Sequence, residues 1–263
     1  MKRTLPVFAL VILALVAVCS SSTGDAAERK KKSSSKQTRA DPLYSLTLMR
    51  QGSVLMQQGQ LELALESFRE ADRIAPGNAT VHNMIGLCHL RMGSFDEALQ
   101  SFNHSLRLIP DFIDARNNRG AAYLAMGQLH LAEVDFVAVL ADPTYPHRKQ
   151  VYYNLGMAYL QRGQLGAAEE NLRRSIVQPN PVFNGYLRLA EVAQRQGKLE
   201  IARDVLEEAR LLHPDRVAVL LDLGQLLILM GHEDEARPYL EQVIANEPGS
   251  NAAARAQTLL GPG

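Results

Sequence analysis

The chain has no tryptophan, and only two of its 263 residues are cysteine, Cys19 and Cys88. Two thiols exclude a disulfide-stapled scaffold. No apolar run after residue 20 is long enough to cross a bilayer, so the body of the chain carries no expected transmembrane helix. P-loop, dinucleotide-binding glycine fingerprint, nucleophile elbow and HExxH are all missing. Seven histidines are scattered at 82, 89, 104, 130, 147, 213 and 232. His82 and His89 could share a helix face, but no Cys, Asp or Glu completes a ligand set at metal spacing. No metal, cofactor or small-molecule substrate is therefore expected, and an enzyme has no motif to stand on. Excess charge is missing as well, with 28 basic and 28 acidic residues.

That balance hides an uneven distribution. Residues 1–40 hold eight basic and two acidic side chains, which leaves residues 41–263 with 20 against 26, a net of −6. A mildly acidic body argues against nucleic acid as a partner. At the start, Lys2 and Arg3 precede an apolar run from Leu5 to Val18, followed by Cys19 and three serines. This is the pattern of an export signal, spanning residues 1–19. Residues 20–40 are serine-rich and basic without apolar periodicity, and read as a flexible tether of about 25 Å average reach.

From residue 41 the chain repeats. Gly52, Gly86, Gly120, Gly156, Ala190 and Gly224 recur every 34 residues, with one two-residue slip between Gly120 and Gly156. Taking this small residue as position 8, six units span 45–78, 79–112, 113–148, 149–182, 183–216 and 217–250, and residues 251–263 form a cap. Position 20 is alanine in all six, position 24 is Phe or Leu, and position 15 is glycine throughout. Four units carry proline at position 32: Pro76, Pro110, Pro214 and Pro248. Small residues at 8 and 20 let two helices approach closely. Glycine at 15 ends the first helix in a left-handed conformation, and proline at 32 ends the second. Two irregularities stand out: the slip falls in the turn Asp142 to Arg148, and Pro238 lies inside the second helix of the last unit, where a bend is expected. Cys88 falls at a position held elsewhere by Val, Ala or Leu and reads as a small hydrophobe.

This pattern is similar to the tetratricopeptide repeat, over about four fifths of the chain. The resemblance implies an all-α fold, a tetratricopeptide repeat solenoid of six helix-turn-helix repeats plus a C-terminal capping helix. It also implies where partners bind, since the first helix of each repeat lines a concave face. The corresponding residues are Asn83, Leu87, Leu90 and Arg91 in repeat 2, Asn117, Ala121 and Leu124 in repeat 3, and Tyr153, Met157 and Leu160 in repeat 4. Amides there can bond a peptide backbone while Leu and Met accept apolar side chains. The same Leu and Met can instead pack repeat against repeat. These positions are mostly neutral, unlike the Lys, Arg and Asn set with which chaperone-binding relatives clamp a C-terminal carboxylate.

Three further segments narrow the resemblance. Asn117-Asn118-Arg119-Gly120, then Pro143-Thr144-Tyr145-Pro146-His147-Arg148, then Asn154-Leu155-Gly156 resemble, in that order, the NNxG, TxYPxR and NLG segments of type IV pilus assembly lipoproteins of the PilF/PilW/Tgl group. This resemblance implies a pilotin, which binds secretin subunits and promotes their insertion and ring assembly in the outer membrane. Asn117, Asn118, Tyr145, Pro146, Tyr153 and Asn154 occupy the matching positions. Tyr145 and Pro146, with Pro143, can equally serve only to shape a rigid turn. Val16 to Cys19 is similar to a lipobox, which makes Cys19 the expected lipid attachment site, with Val18 where Gly or Ala is usual. Ordinary cleavage near Gly24 or Ala26 is the alternative. The first route gives an exported outer-membrane lipoprotein facing the periplasm and held through its lipid, the second a soluble periplasmic protein. A general periplasmic scaffold for envelope complexes is the alternative function.

Overall fold

The computed structural model describes residues 42–261; Cys19, the signal and the 20–40 tether lie outside the described residues. The described residues form thirteen helices and no strand: α1 (Pro42–Gln57), α2 (Leu61–Ile74), α3 (Ala79–Arg91), α4 (Phe95–Leu108), α5 (Ile113–Ala125), α6 (Leu129–Leu140), α7 (Arg148–Gln161), α8 (Leu165–Ser175), α9 (Phe183–Arg195), α10 (Leu199–Leu212), α11 (Val217–Leu229), α12 (Glu233–Asn246) and α13 (Asn251–Leu260). Consecutive helices pack in pairs, α1 with α2 through α11 with α12, and α13 closes against α11 and α12.

The chain divides into two compact units at Pro110 and Asp111. In the first, α1, α2 and α3 enclose a core of Leu48, Met56, Phe68, Val81, Ile85 and Cys88. Burial pushes the Cys88 thiol up to about 11, as expected of a packed, unreactive side chain. The second unit holds three successive cores. Phe136, Val139, Tyr145, Val151 and Leu155 fill the space between α5, α6 and α7. Leu172, Tyr186, Leu189, Leu206, Val219 and Leu223 continue through α8 to α11. Leu220, Leu227, Leu240, Val243 and Ala256 finish under α13.

The small residue at position 8 and the glycine at position 15 work by different physics. A Cβ on Gly86 would stand 2.6 Å from the Phe102 ring, and one on Gly120 would stand 2.8 Å from Phe136. In the five repeats with glycine at position 8, the side chain at position 24 of the same repeat occupies the place a Cβ would take. Gly93 and Gly127 meet nothing within 4 Å, but hold φ of +79° and +71°. Their requirement is conformational, a left-handed residue after the first helix.

The prolines act one residue upstream. Ala75, Ile109, His213 and Glu247, which precede them, leave the helical region with φ between −130° and −143°. Pro Cδ disfavours helical backbone in the residue before it. Where position 32 lacks proline, the residues capping α6 and α8, Ala141 and Ile176, stay near helical angles, and different turns follow. The expected bend at Pro238 does not interrupt α12, which runs unbroken from Glu233 to Asn246. Pro238 sits in the second turn with its ring exposed, so it removes only one bond, to the Asp234 carbonyl.

Candidate partner-binding surface

The expected groove residues fall in both units. On α3, Asn83 is only 1% exposed and Leu87 packs against the first core, so neither presents a free face. Leu90 is half-buried, and Arg91 donates from Nη1 to the Met56 carbonyl at 2.8 Å. That bond satisfies a carbonyl in the last turn of α1, so Arg91 braces two repeats.

In the second unit α5 and α7 lie side by side. Asn117 donates to Asn118 Oδ1 at 3.5 Å, and its own Oδ1 is buried without a partner among the described residues. Ala121, Leu124, Tyr153 and Met157 are half-buried against the cores beneath. Asn154 accepts from Gln150 at 3.1 Å. Leu160 is a correction: at 4% exposure it belongs to the core it shares with Leu172, Tyr186 and Leu189, and apolar packing there covers the side chain. What α5 and α7 offer a partner is a strip of amide and half-covered apolar groups.

The turn after α6 is built at every residue. Asp142 Oδ1 accepts from the Thr144 backbone at 2.8 Å and its hydroxyl at 2.7 Å, and these bonds hold the Asp142 carboxyl below the usual range. Arg148 donates to the Leu140 carbonyl at 2.7 Å, to the Asp142 carbonyl, and to the Tyr152 hydroxyl at 3.0 Å. It thereby caps the end of α6 with a cation. Tyr145 is buried with Phe136 and Leu155, and its hydroxyl donates to Asp114 on α5 at 3.0 Å. Burial first, then Asp114, pushes the Tyr145 hydroxyl well above the ordinary tyrosine range. Pro143 and Pro146 are exposed at the rim. On α5, Arg119 forms a bidentate pair with the Asp135 carboxylate, both bonds 2.8 Å, and Asp135 is 2% exposed.

The three resemblance segments, separated in sequence, thus converge. Gly120 admits Phe136, Phe136 and Leu155 enclose Tyr145, and Tyr145 ties the inserted turn to α5. Sequence reasoning missed both charged partners, since neither Asp114 nor Asp135 belongs to a segment with a pattern. It also missed a polar cleft of about 190 Å3 between α9 and α11. The signal was available, because the cleft uses first-helix positions of repeats 5 and 6. A third feature is an apolar stripe on α6, where Leu131, Val134 and Val137 are 45%, 53% and 51% exposed. The histidines give one unexpected pair, His82 and His104, whose ring centroids lie 3.9 Å apart with His82 also 3.2 Å from Asp72.

A model of the tetratricopeptide repeat matches residues 44–111 and 182–246, and a second model of the same repeat matches 117–181. Among solved structures, PilW, a widely conserved type IV pilus biogenesis factor, is similar with a TM-score of 0.74 and 24% identity, covering 80% of this chain and 96% of PilW. PilF of Pseudomonas aeruginosa gives 0.70 and 21%, covering 81% of this chain and 96% of PilF. A tetratricopeptide repeat protein of Parabacteroides merdae gives 0.64 and 18%, over 96% of this chain and 98% of that one.

Proposed function

Because the chain belongs to the tetratricopeptide-repeat family, whose members serve as protein-interaction scaffolds, we propose that it is a non-enzymatic assembly factor for type IV pilus biogenesis, a pilotin for an outer-membrane secretin. The observation that carries this reading is the convergence on Tyr145 of the three segments resembling that group. The likeness in fold to PilW and PilF over nearly their whole length supports it. Binding is association only. A secretin segment lies along α5 and α7, covering Ala121, Leu124, Tyr153 and Met157, while Asn117 and Asn118 bond its backbone. The protein is held at the outer membrane by lipid on Cys19, and the 20–40 tether gives the repeats reach.

Deleting the gene tests the function: secretin should remain monomeric or mislocalised, and intact, correctly placed secretin rings would refute it. Recovery of cell-wall enzymes without secretin from envelope extracts would favour the general periplasmic scaffold instead. Mass spectrometry of the mature N-terminus tests the anchor, since a diacylglyceryl adduct on Cys19 is expected and an unmodified start near Gly24 or Ala26 rejects it.

A further inference from the structure

The cleft between α9 and α11 has a defined chemical demand. Leu187, Arg188, Glu191, Gln194, Asp222 and Gln225 line it. Most of its polar groups are already engaged. Glu191 receives Arg188 on one oxygen and Arg195 on the other, each at 2.6 Å. Gln225 accepts from Arg255 at 3.2 Å through its oxygen. Beside the Gln194 carboxamide, which lines the cleft without a side-chain hydrogen bond and can turn either of its ends to a ligand, two groups are left over: the Gln225 amide nitrogen is buried with no acceptor, and Asp222 has Arg188 and Arg255 near it as charges but no hydrogen bond among the described residues. Burial pushes the Asp222 carboxyl up, and Arg188 and Arg255 pull it back. Unmet polar groups in a confined site cost free energy that a matching ligand recovers.

Charge decides what that ligand is. Arg188, Arg195 and Arg255 stand against Glu191 and Asp222, so the surroundings already carry one excess positive charge. A partner's guanidinium or ammonium would add to it. A partner's carboxylate would be set against Asp222. A neutral carboxamide meets both demands, with its N–H donated to Asp222 and its C=O accepting from Gln225. The cleft's 190 Å3 suits a single side chain rather than a cofactor.

We propose that this cleft binds the side-chain carboxamide of an Asn or Gln carried on the segment of a partner that lies along the first helices of repeats 5 and 6. The inference rests on those helices being a partner-binding face, and its test needs no secretin, so its failure is separate from failure of the pilotin role. The full-length protein with nitrogen-15-labelled glutamine is titrated with N-acetyl-glutamine methylamide, alongside its Glu, Arg and Ala counterparts. The expected result is a saturable shift of the Gln225 side-chain resonance with the glutamine probe, with the other three binding at least about tenfold more weakly. Asp222→Asn, whose melting curve should match the parent, should weaken the glutamine probe about tenfold. No shift, equal binding of the Glu, Arg or Ala probe, or an Asp222→Asn variant that folds and binds normally would overturn the proposal. Probe selectivity on the unmutated protein decides the matter if the variant does not fold.

Discussion

The Arg119 guanidinium grips the nearly inaccessible Asp135 carboxylate through two bonds of 2.8 Å, bridging the two helices of one repeat. Their exposures differ, with Arg119 at 22% of its side chain and Asp135 at 2%. The two single substitutions should therefore differ in cost. Arg119→Met strands a buried carboxylate and should lower stability by about 3–5 kcal/mol. Asp135→Asn leaves Arg119 able to turn toward water and should cost about half as much. Urea unfolding of both variants checks the order; the reverse order would mean that the arginine, not the aspartate, is the desolvated partner.

Gly86 and Phe102 form a second testable pair. Gly86→Ala places a methyl group in the Phe102 ring and should cost about 1–3 kcal/mol by overpacking. Combining it with Phe102→Leu should give less than the sum of the two single effects, because the smaller side chain yields the space. Gly93→Ala should cost about 1–2 kcal/mol through its positive φ, and Phe102→Leu should not relieve that. A double-mutant cycle for each pair separates packing from backbone strain.

For the turn, Tyr145→Phe should cost about 1 kcal/mol by removing the bond to Asp114 while leaving the ring in place. Tyr145→Ala should cost about 3–5 kcal/mol by opening a cavity among Phe136, Val151 and Leu155. If the proposed secretin client binds and the turn only sets the angle between repeats, the Phe variant should recover as much of it in a pull-down as the parent. A loss at unchanged stability would place the hydroxyl or Asp114 at the interface.

Most of the architecture was legible because repetition reports the same packing several times over. Gly86 and Phe102 are each one instance of a column, and columns reveal helix, turn and core without long-range information. What was not legible has no column. Asp114 and Asp135 occur once, and their partners are set by geometry 31 and 16 residues away. The groove residues were partly misjudged for the same reason. Periodicity says which helix lines the expected groove, but not that neighbouring repeats cover Asn83 and Leu160, at 1% and 4% exposure. The repeat 5 and 6 cleft escaped notice because its meaning lies in which bonds are left unmade, which only coordinates reveal.

The last prediction concerns alkali. Burial, and then the carboxylate each one bonds, push Tyr159 and Tyr186 up to about 12, through Glu133 at 2.8 Å and Glu208 at 2.9 Å. For an acid whose folded pKa lies above its unfolded value, the unfolded state releases its proton first as pH rises. The stabilisation is thus complete below about pH 10, the unfolded tyrosine value, and is lost as pH climbs toward about 12. Urea midpoints should hold steady to about pH 9 and then fall, in step with tyrosinate absorbance. Tyr186→Phe should start less stable at neutral pH, by about 1 kcal/mol for the lost bond, yet decline less steeply above pH 10. Tyr186 is the sharper test because its ring is fully buried, so its phenolate cannot form without opening the core between α9 and α10. An alkaline decline unchanged in Tyr186→Phe would assign the loss to other groups, and the Glu208 bond would then contribute nothing to the pH dependence.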